Sequence, residues 1–419
     1  MKRLVDSTAH CLICFVVFLV VSLPAFGEDL LTISGKVINR NNRKAIENVT
    51  LSVPGSNIAT VSNAEGRFTL KIPVDLAVNG IRVFQLGYRS LLIPASEIDY
   101  DGRGDVTVTL EPIGKQFKEI VVTSGDPERI VIEALQKIPE NYSDKNNLFS
   151  GFYRETVRKG SRFVSISEAI LDVLKRPYKS RYTTGEKVQI NKGRTLLSQK
   201  ASDTLAVKLT GGPYMAVYLD AVKNGDHLFT INEVNHYDFK MEHLESIDDR
   251  LHFRISFKPH VKLQYPLNRG VIYIDTETFA ISRVEFALDM SDKEKVTQYI
   301  LQKKPSGLHF KPEEVSGVVT YKLVDGKSYI HYISSIIRFK CDWKKRLFSS
   351  GYTTHAEIVM VDRDDNPEKN IKFSNTFGRD KVFSDIVENY WEEGFWDEYN
   401  IIEPTESLEK AIDKLKKRK

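Results

Sequence analysis

The chain has 419 residues, 41% of them hydrophobic and 28% charged, values of folded protein that set disorder aside, and the length allows two or three domains. Sixty Lys and Arg stand against 56 Asp and Glu for a net charge of +4, with the signs interleaved. A nucleic-acid binder concentrates its basic residues on one face or tail; the single basic run, Lys414 to Lys419, continues a helical pattern whose cations suit a C-terminal dipole.

Residues 1–27 read as an export signal. Lys2 and Arg3 precede an almost unbroken apolar run from Cys11 to Leu23, Pro24 breaks it, and Ala25 and Gly27 place small residues before a cut at Glu28. The run is shorter than the ~20 residues that span a bilayer, and no Cys follows the small residues to take a lipid. The mature chain is therefore expected outside the cytoplasm, in the periplasm or at the outer membrane, with the cell surface and secretion left open. Only Cys341 then remains, so no intramolecular disulfide can form. Its alternating neighbourhood, Phe339 to Trp343, predicts a buried structural thiol.

From residue 28 to 113, short apolar runs alternate with turn residues. Examples are Val49-Thr-Leu51-Ser-Val53 and Val106-Thr-Val108-Thr-Leu110, separated by Pro54-Gly55, Asn63-Ala-Glu65-Gly66 and Asn79-Gly80. About seven short strands at that spacing predict a β-sandwich. The stretches Ile33-Ser-Gly35-Lys-Val37, Ala45-Ile46-Glu-Asn48-Val49, Asn63-Ala-Glu65-Gly66-Arg-Phe68 and Phe84-Gln-Leu86-Gly87-Tyr88 resemble the carboxypeptidase-like regulatory domain, which is transthyretin-like and common in envelope proteins of Gram-negative bacteria. The family often has Thr-Asp where Ser62-Asn63 stands. Asn serves the same turn, because its side chain bonds the backbone two residues on. The resemblance implies an Ig-like or transthyretin-like fold. In metallocarboxypeptidases that domain is an accessory to a separate catalytic one.

Residues 114–148 form a junction. Phe117 to Thr123 resembles the lead into the plug of outer-membrane receptors, but the remaining chain is too short for a plug and a barrel of about 22 strands. Next come Ile130, Val131, Ala134, Leu135 and Ile138 at helical spacing. Pro127 in the first turn and Pro139 as a stop bound a helix expected to bridge two modules.

Residues 149–380 read as a larger antiparallel sheet, with runs such as Leu251-His-Phe253-Arg-Ile255-Ser-Phe257 and an Asp325-Gly326 hairpin turn. The stretch from Gly270 to Glu285 resembles a hairpin of the LolA-like half-barrels that carry lipoproteins or lipids. Residues 381–419 hold an aromatic, acidic segment and a last helix with Leu408, Ala411, Ile412 and Leu415 as its apolar stripe. The expected fold class is mainly β: a seven-stranded sandwich, then a larger antiparallel sheet with a few helices. The whole chain resembles an uncharacterised envelope family bearing the same first domain.

Chemistry is sparse. Neither His-Glu-x-x-His nor His-x-x-Glu occurs, so no zinc peptidase site is expected, and Gly-x-Ser-x-Gly is absent. Asp325-Gly-Lys327-Ser328 lacks the first P-loop glycine and lies between strands, where a P-loop opens a helix. Asp362 to Glu368 alternates carboxylates like a calcium loop, but Pro367 replaces its glycine. No catalytic, cofactor or metal residue is assigned. Exposed aromatics beside carboxylates can stack on a sugar or anchor a partner, so Tyr390, Trp391, Phe395, Trp396 and Tyr399 are the candidate partner-binding residues. The expected function is a non-catalytic binding or assembly module for a glycan, a lipid or an envelope protein, without nucleic acid. A lipid or lipoprotein carrier with an apolar half-barrel cavity is the alternative, and a peptidase-related hydrolase the less favoured one.

Overall fold

The computed structural model describes residues 30–98, 105–113, 125–179, 185–200, 203, 205, 207–225, 228–343, 349–365, 367, 370–392 and 399–416. The export signal lies outside them.

Seven strands make the first module: β1 (Leu30–Asn39), β2 (Thr50–Ser52), β3 (Ala59–Val61), β4 (Arg67–Pro73), β5 (Ile81–Phe84), β6 (Leu91–Ile93) and β7 (Val106–Leu110). They form two sheets, β4-β1-β7 and β3-β2-β5-β6. Phe68, Leu70 and Ile72 alternate inward along β4 to meet Val37, Val49, Leu51 and Val83, the period expected of strands with one buried face. Gly66 has φ +74°, and a Cβ there would stand 2.4 Å from the Val37 carbonyl oxygen, so this turn requires glycine. Asn63 accepts from the backbone of Glu65 at 2.9 Å and of Arg67 at 3.0 Å, the use predicted for it.

Asp126 caps α1 (Pro127–Gln136) by accepting from the Glu128 N–H at 3.1 Å. Pro139 does not end the helical stretch. It sits in the first turn of a second short helix, α2 (Ile138–Asn141), where its missing N–H costs nothing. Nor is α1 merely a bridge: Ile130, Val131, Ala134 and Leu135 are buried in the core of the second module.

That second module runs β8 (Asn147–Lys159), β9 (Arg162–Lys175), β10 (Lys187–Leu197), β11 (Lys208–Leu209), α3 (Pro213–Tyr218), β12 (Tyr237–Ile247), β13 (Arg250–Pro259), β14 (Asn268–Asp275), β15 (Ile281–Leu288), α4 (Lys293–Ile300), β16 (Leu301–Lys303), β17 (Leu308–Val324), β18 (Lys327–Trp343) and β19 (Ser350–Asp364). Ten of these strands form one sheet, β10-β9-β8-β19-β18-β17-β15-β14-β13-β12, antiparallel throughout. Asp325 and Gly326 take φ of 50° and 77°, as a type I′ turn needs. The chain closes with α5 (Phe383–Ile386) and α6 (Glu406–Lys416).

One face of the sheet is filled by the chain itself. Val131, Leu135, Val217, Val222 and Phe229 pack on Tyr153, Leu171, Ile255, Ile272, Val284 and Ile358. A closed polar hub sits within this core. Asp220 accepts from Lys175 at 2.6 Å, from the hydroxyls of Tyr178 and Tyr321 at 2.7 Å each, and from the Lys223 N–H at 3.2 Å. Lys175 also lies 2.9 Å from Glu186. Such pairing is what permits charges in an apolar interior.

The sandwich and the chain end cover part of the opposite face. Val61 packs with Phe152, Ile170, Tyr332 and Val359, and Ile402 joins them. The strip from Tyr399 to Glu406 lies between the two modules. Asn400 exchanges two bonds with the Lys71 backbone at 2.7 and 3.0 Å, and Asn63 donates to the carbonyls of Glu403 and Pro404 at 3.1 Å. From the sheet side, the buried Arg154 donates to the Ile402 carbonyl at 2.8 Å. Beyond the strip, α6 lays Leu408, Ile412 and Leu415 on Ile166 and Leu196.

Candidate functional site

The sandwich leaves the rest of its sheet face uncovered, and a groove of about 810 Å³ lies there. Strand register explains its floor. Ser256, Val271, Glu285, Val318 and Ser334 stand opposite one another across five strands, and Arg269, Ala287, Ser316, Ile336 and His355 form a second rung. Residues paired in register share a face, so both rungs line the groove. Phe286 lies on the other face, its ring 2.6 Å from where a Cβ on Gly317 would be. Only glycine at 317 leaves room for that ring beneath the floor.

Glu47 and Asn48 of the sandwich form one wall, and Tyr332 closes the inner end. The polar lining carries both signs. Lys258 pairs with Asp238 at 3.5 Å, and Arg283 ties up Glu285 at 2.7 Å. The groove therefore offers half-buried apolar surface with a balanced charged edge. It suits an apolar group better than an anion or a sugar.

One pair of reactive type lies in it. Ser334 Oγ is 2.9 Å from His355 Nε2. No carboxylate orients the His355 ring among the described residues, and Ser334 sits mid-strand between two antiparallel neighbours. The backbone N–H groups around it serve ladders, so none converges to hold an oxyanion. The remaining histidines are scattered: His243 pairs with Glu245 at 3.1 Å and His252 with Ser282 at 2.8 Å. Among the described residues no group of three or more His, Cys, Asp or Glu is placed to hold a metal. In the would-be calcium loop, Arg363 takes Asp365 with two bonds, at 2.5 and 2.9 Å. Cys341 is buried, and burial with the nearby Asp342 carboxylate pushes its thiol up to about 11, far from a reactive thiolate at neutral pH.

The described residues of the aromatic segment do not line the groove. Tyr390 and Trp391 stand at the surface, 36% and 56% exposed. Tyr399 belongs to the strip between the modules, its carbonyl taking the Lys71 ammonium at 3.0 Å. Lys192 links the two places, 3.2 Å from Glu392 and 5.7 Å from the Tyr399 ring centre. Phe395 and Trp396 lie outside the described residues. Reading the sequence missed the groove residues, although a signal was present. Val271-Ile272, Val318-Val319 and Ile336-Ile337 are apolar pairs within strands, and each pair puts one apolar side chain on each face of the sheet.

Residues 33–122 match the family model of the CarboxypepD_reg-like domain. The first module is a CarboxypepD_reg-like domain. No curated protein matches the chain. Solved structures similar to it include three, each matched over nearly its own full length. A DUF1329 family protein from Desulfovibrio piger is 11% identical, with 59% of this chain and 96% of that one covered at a TM-score of 0.25. A LolA superfamily protein from Nitrosomonas europaea is 10% identical, with 58% and 96% covered at 0.21. MucB, solved in complex with MucA(peri), is 9% identical, with 58% and 100% covered at 0.18. These likenesses are loose, and the reading of the site rests on its own geometry. The CarboxypepD_reg-like domain supplies the wall of the groove and the sheet supplies its floor. Among the described residues no helix is long and apolar enough to cross a membrane.

Proposed function

We propose that the protein is an exported, non-catalytic binding module of the cell envelope, and that its groove seats an apolar segment of a partner protein. The observation that carries this reading is the set of four apolar side chains in the two rungs, Val271, Ala287, Val318 and Ile336, left half-exposed beside a wall supplied by the other module. A site built from two modules ties recognition to their docking. The carboxylates and cations at its edge give register rather than bulk affinity. The carrier alternative has less room on the opposite face, where the chain's own helices and the Asp220 hub fill most of the sheet.

A photo-crosslinking residue at Val318, in protein expressed in its host, tests the reading. The exposed sandwich residue Val78 serves as the control position. A discrete protein adduct is expected at 318 alone, lost when V271D places a charge in the floor. A lipid adduct at 318 would instead favour the carrier. Equal labelling at both positions, or an adduct indifferent to V271D, would sink the proposal. Purified protein that turned over peptide or ester substrates at enzyme-like rates would overturn its non-catalytic part.

A further inference from the structure

The filled face of the sheet also holds open space. A cavity of about 310 Å³ lies at the end of β8, β9, β18 and β19, under the segments around Gly211 and Phe383. Val157, Val164, Val207, Ile337 and Phe383 make its wall largely apolar. Glu155 projects from β8 into it. Glu155 Oε2 accepts from the Tyr153 hydroxyl at 2.8 Å and from the Gly212 N–H at 3.3 Å, which fixes the carboxyl. Oε1 makes no bond, and no cation pairs with the group among the described residues. Glu155 is half-buried, and two fully buried carboxylates of the same molecule do have such a partner: Asp220 has Lys175, and Glu168 has Arg154 at 2.7 Å and Arg194 at 2.6 Å.

We propose that this cavity binds a small primary amine with an apolar body, its ammonium resting on Oε1 of Glu155. The ligand would supply the countercharge that the fold withholds, and its hydrocarbon would replace water along the apolar wall. Burial pushes the Glu155 carboxyl up despite the two donors, the direction expected of a site whose cation is missing. Other charges in the wall do not compete. Asp203 is taken by Arg162 at 3.0 Å and by Ser198 at 2.8 Å, and Lys381 and Asp385, of opposite sign, stand exposed at the edge.

Calorimetric titration of the full mature chain with hexylamine, hexanol and hexanoate tests the assignment, repeated in V318D so that the groove does not contribute. Hexylamine is expected to bind about ten-fold tighter than hexanol, the worth of a charge-assisted bond over a neutral one, and hexanoate not at all. Glu155→Gln keeps the shape and should erase that preference while hexanol binding stays. The wild-type comparison of amine with alcohol stands even if the variant fails to fold. Equal affinity for the two, no binding of either, or undiminished amine binding by folded E155Q would overturn the proposal.

Discussion

Single residues of this chain decide how much charge the interior tolerates. Asp220 is the anion that makes the buried Lys175 and two buried tyrosines acceptable, and its carboxyl is held below the usual range because Lys175 and the two hydroxyls outweigh burial. Asp220→Ala leaves Lys175 beside Glu186 alone and should cost about 3–5 kcal/mol, read as a lower urea midpoint with an unchanged slope. Asp275 behaves alike near the surface. Burial pushes its carboxyl up, but the Arg250 fork at 2.6 and 2.9 Å and the N–H groups of Thr278 and Glu277 overcome that and hold it at about 2. A carboxyl lowered by folding stabilises above its unfolded pKa, and that stability is lost as pH falls through the folded value. About 2 kcal/mol should therefore disappear between roughly pH 4 and 2, and Arg250→Ala should flatten that part of the stability profile. An unchanged profile in R250A would remove Asp275 from the account.

At the scale of elements, the C-terminal strip bonds both modules, and deleting residues 399–419 should loosen their docking. The expected outcome is faster limited proteolysis near the junction around residue 113, with the sandwich still folded by circular dichroism. Truncation that leaves the proteolysis rate unchanged would show the strip to be dispensable. His331 reports on the same seam. Burial and the neighbouring Lys322 push its ring down to about 3, its Nε2 has no partner, and only the Met360 carbonyl favours the charged form. A histidine lowered by folding costs stability as pH drops below its unfolded value, so roughly 2 kcal/mol should be lost between pH 6.5 and 5. His331→Gln should remove that slope in chemical denaturation, and a slope that survives it would rule out His331 as its source.

The sequence made the elements more legible than their companions. The seven sandwich strands, the Asn63 turn and the Asp325-Gly326 hairpin follow from alternation and turn chemistry within a few residues. The groove does not, because its floor joins Val271, Val318 and Ile336 only through strand register, which no local pattern fixes. Pro139 misled for a related reason: the first turn of a helix tolerates the residue that stops one. Glu155 was invisible as a candidate because what sets it apart is a missing cation, a fact of packing rather than of motif.

For the molecule as a whole, the two modules share buried contacts, a two-armed ion pair from Arg82 to Asp248 and Asp249 at 2.5 and 3.3 Å, and the strip between them. They should therefore unfold together. Near-ultraviolet signal from the sheet and amide exchange in the sandwich are expected to share one denaturant midpoint, and two separated midpoints would show that the modules are merely tethered.

Asn63 and Lys71 lie early in the chain, yet their partners are Asn400, Glu403 and Pro404. The strip thus ties the sandwich to the sheet from more than 300 residues away in sequence, adding to the direct contacts of Val61 and Arg82. Since the wall and floor of the groove come from these two modules, loss of the strip should loosen the binding site, so that readiness to bind depends on a segment far downstream of the sandwich residues it holds.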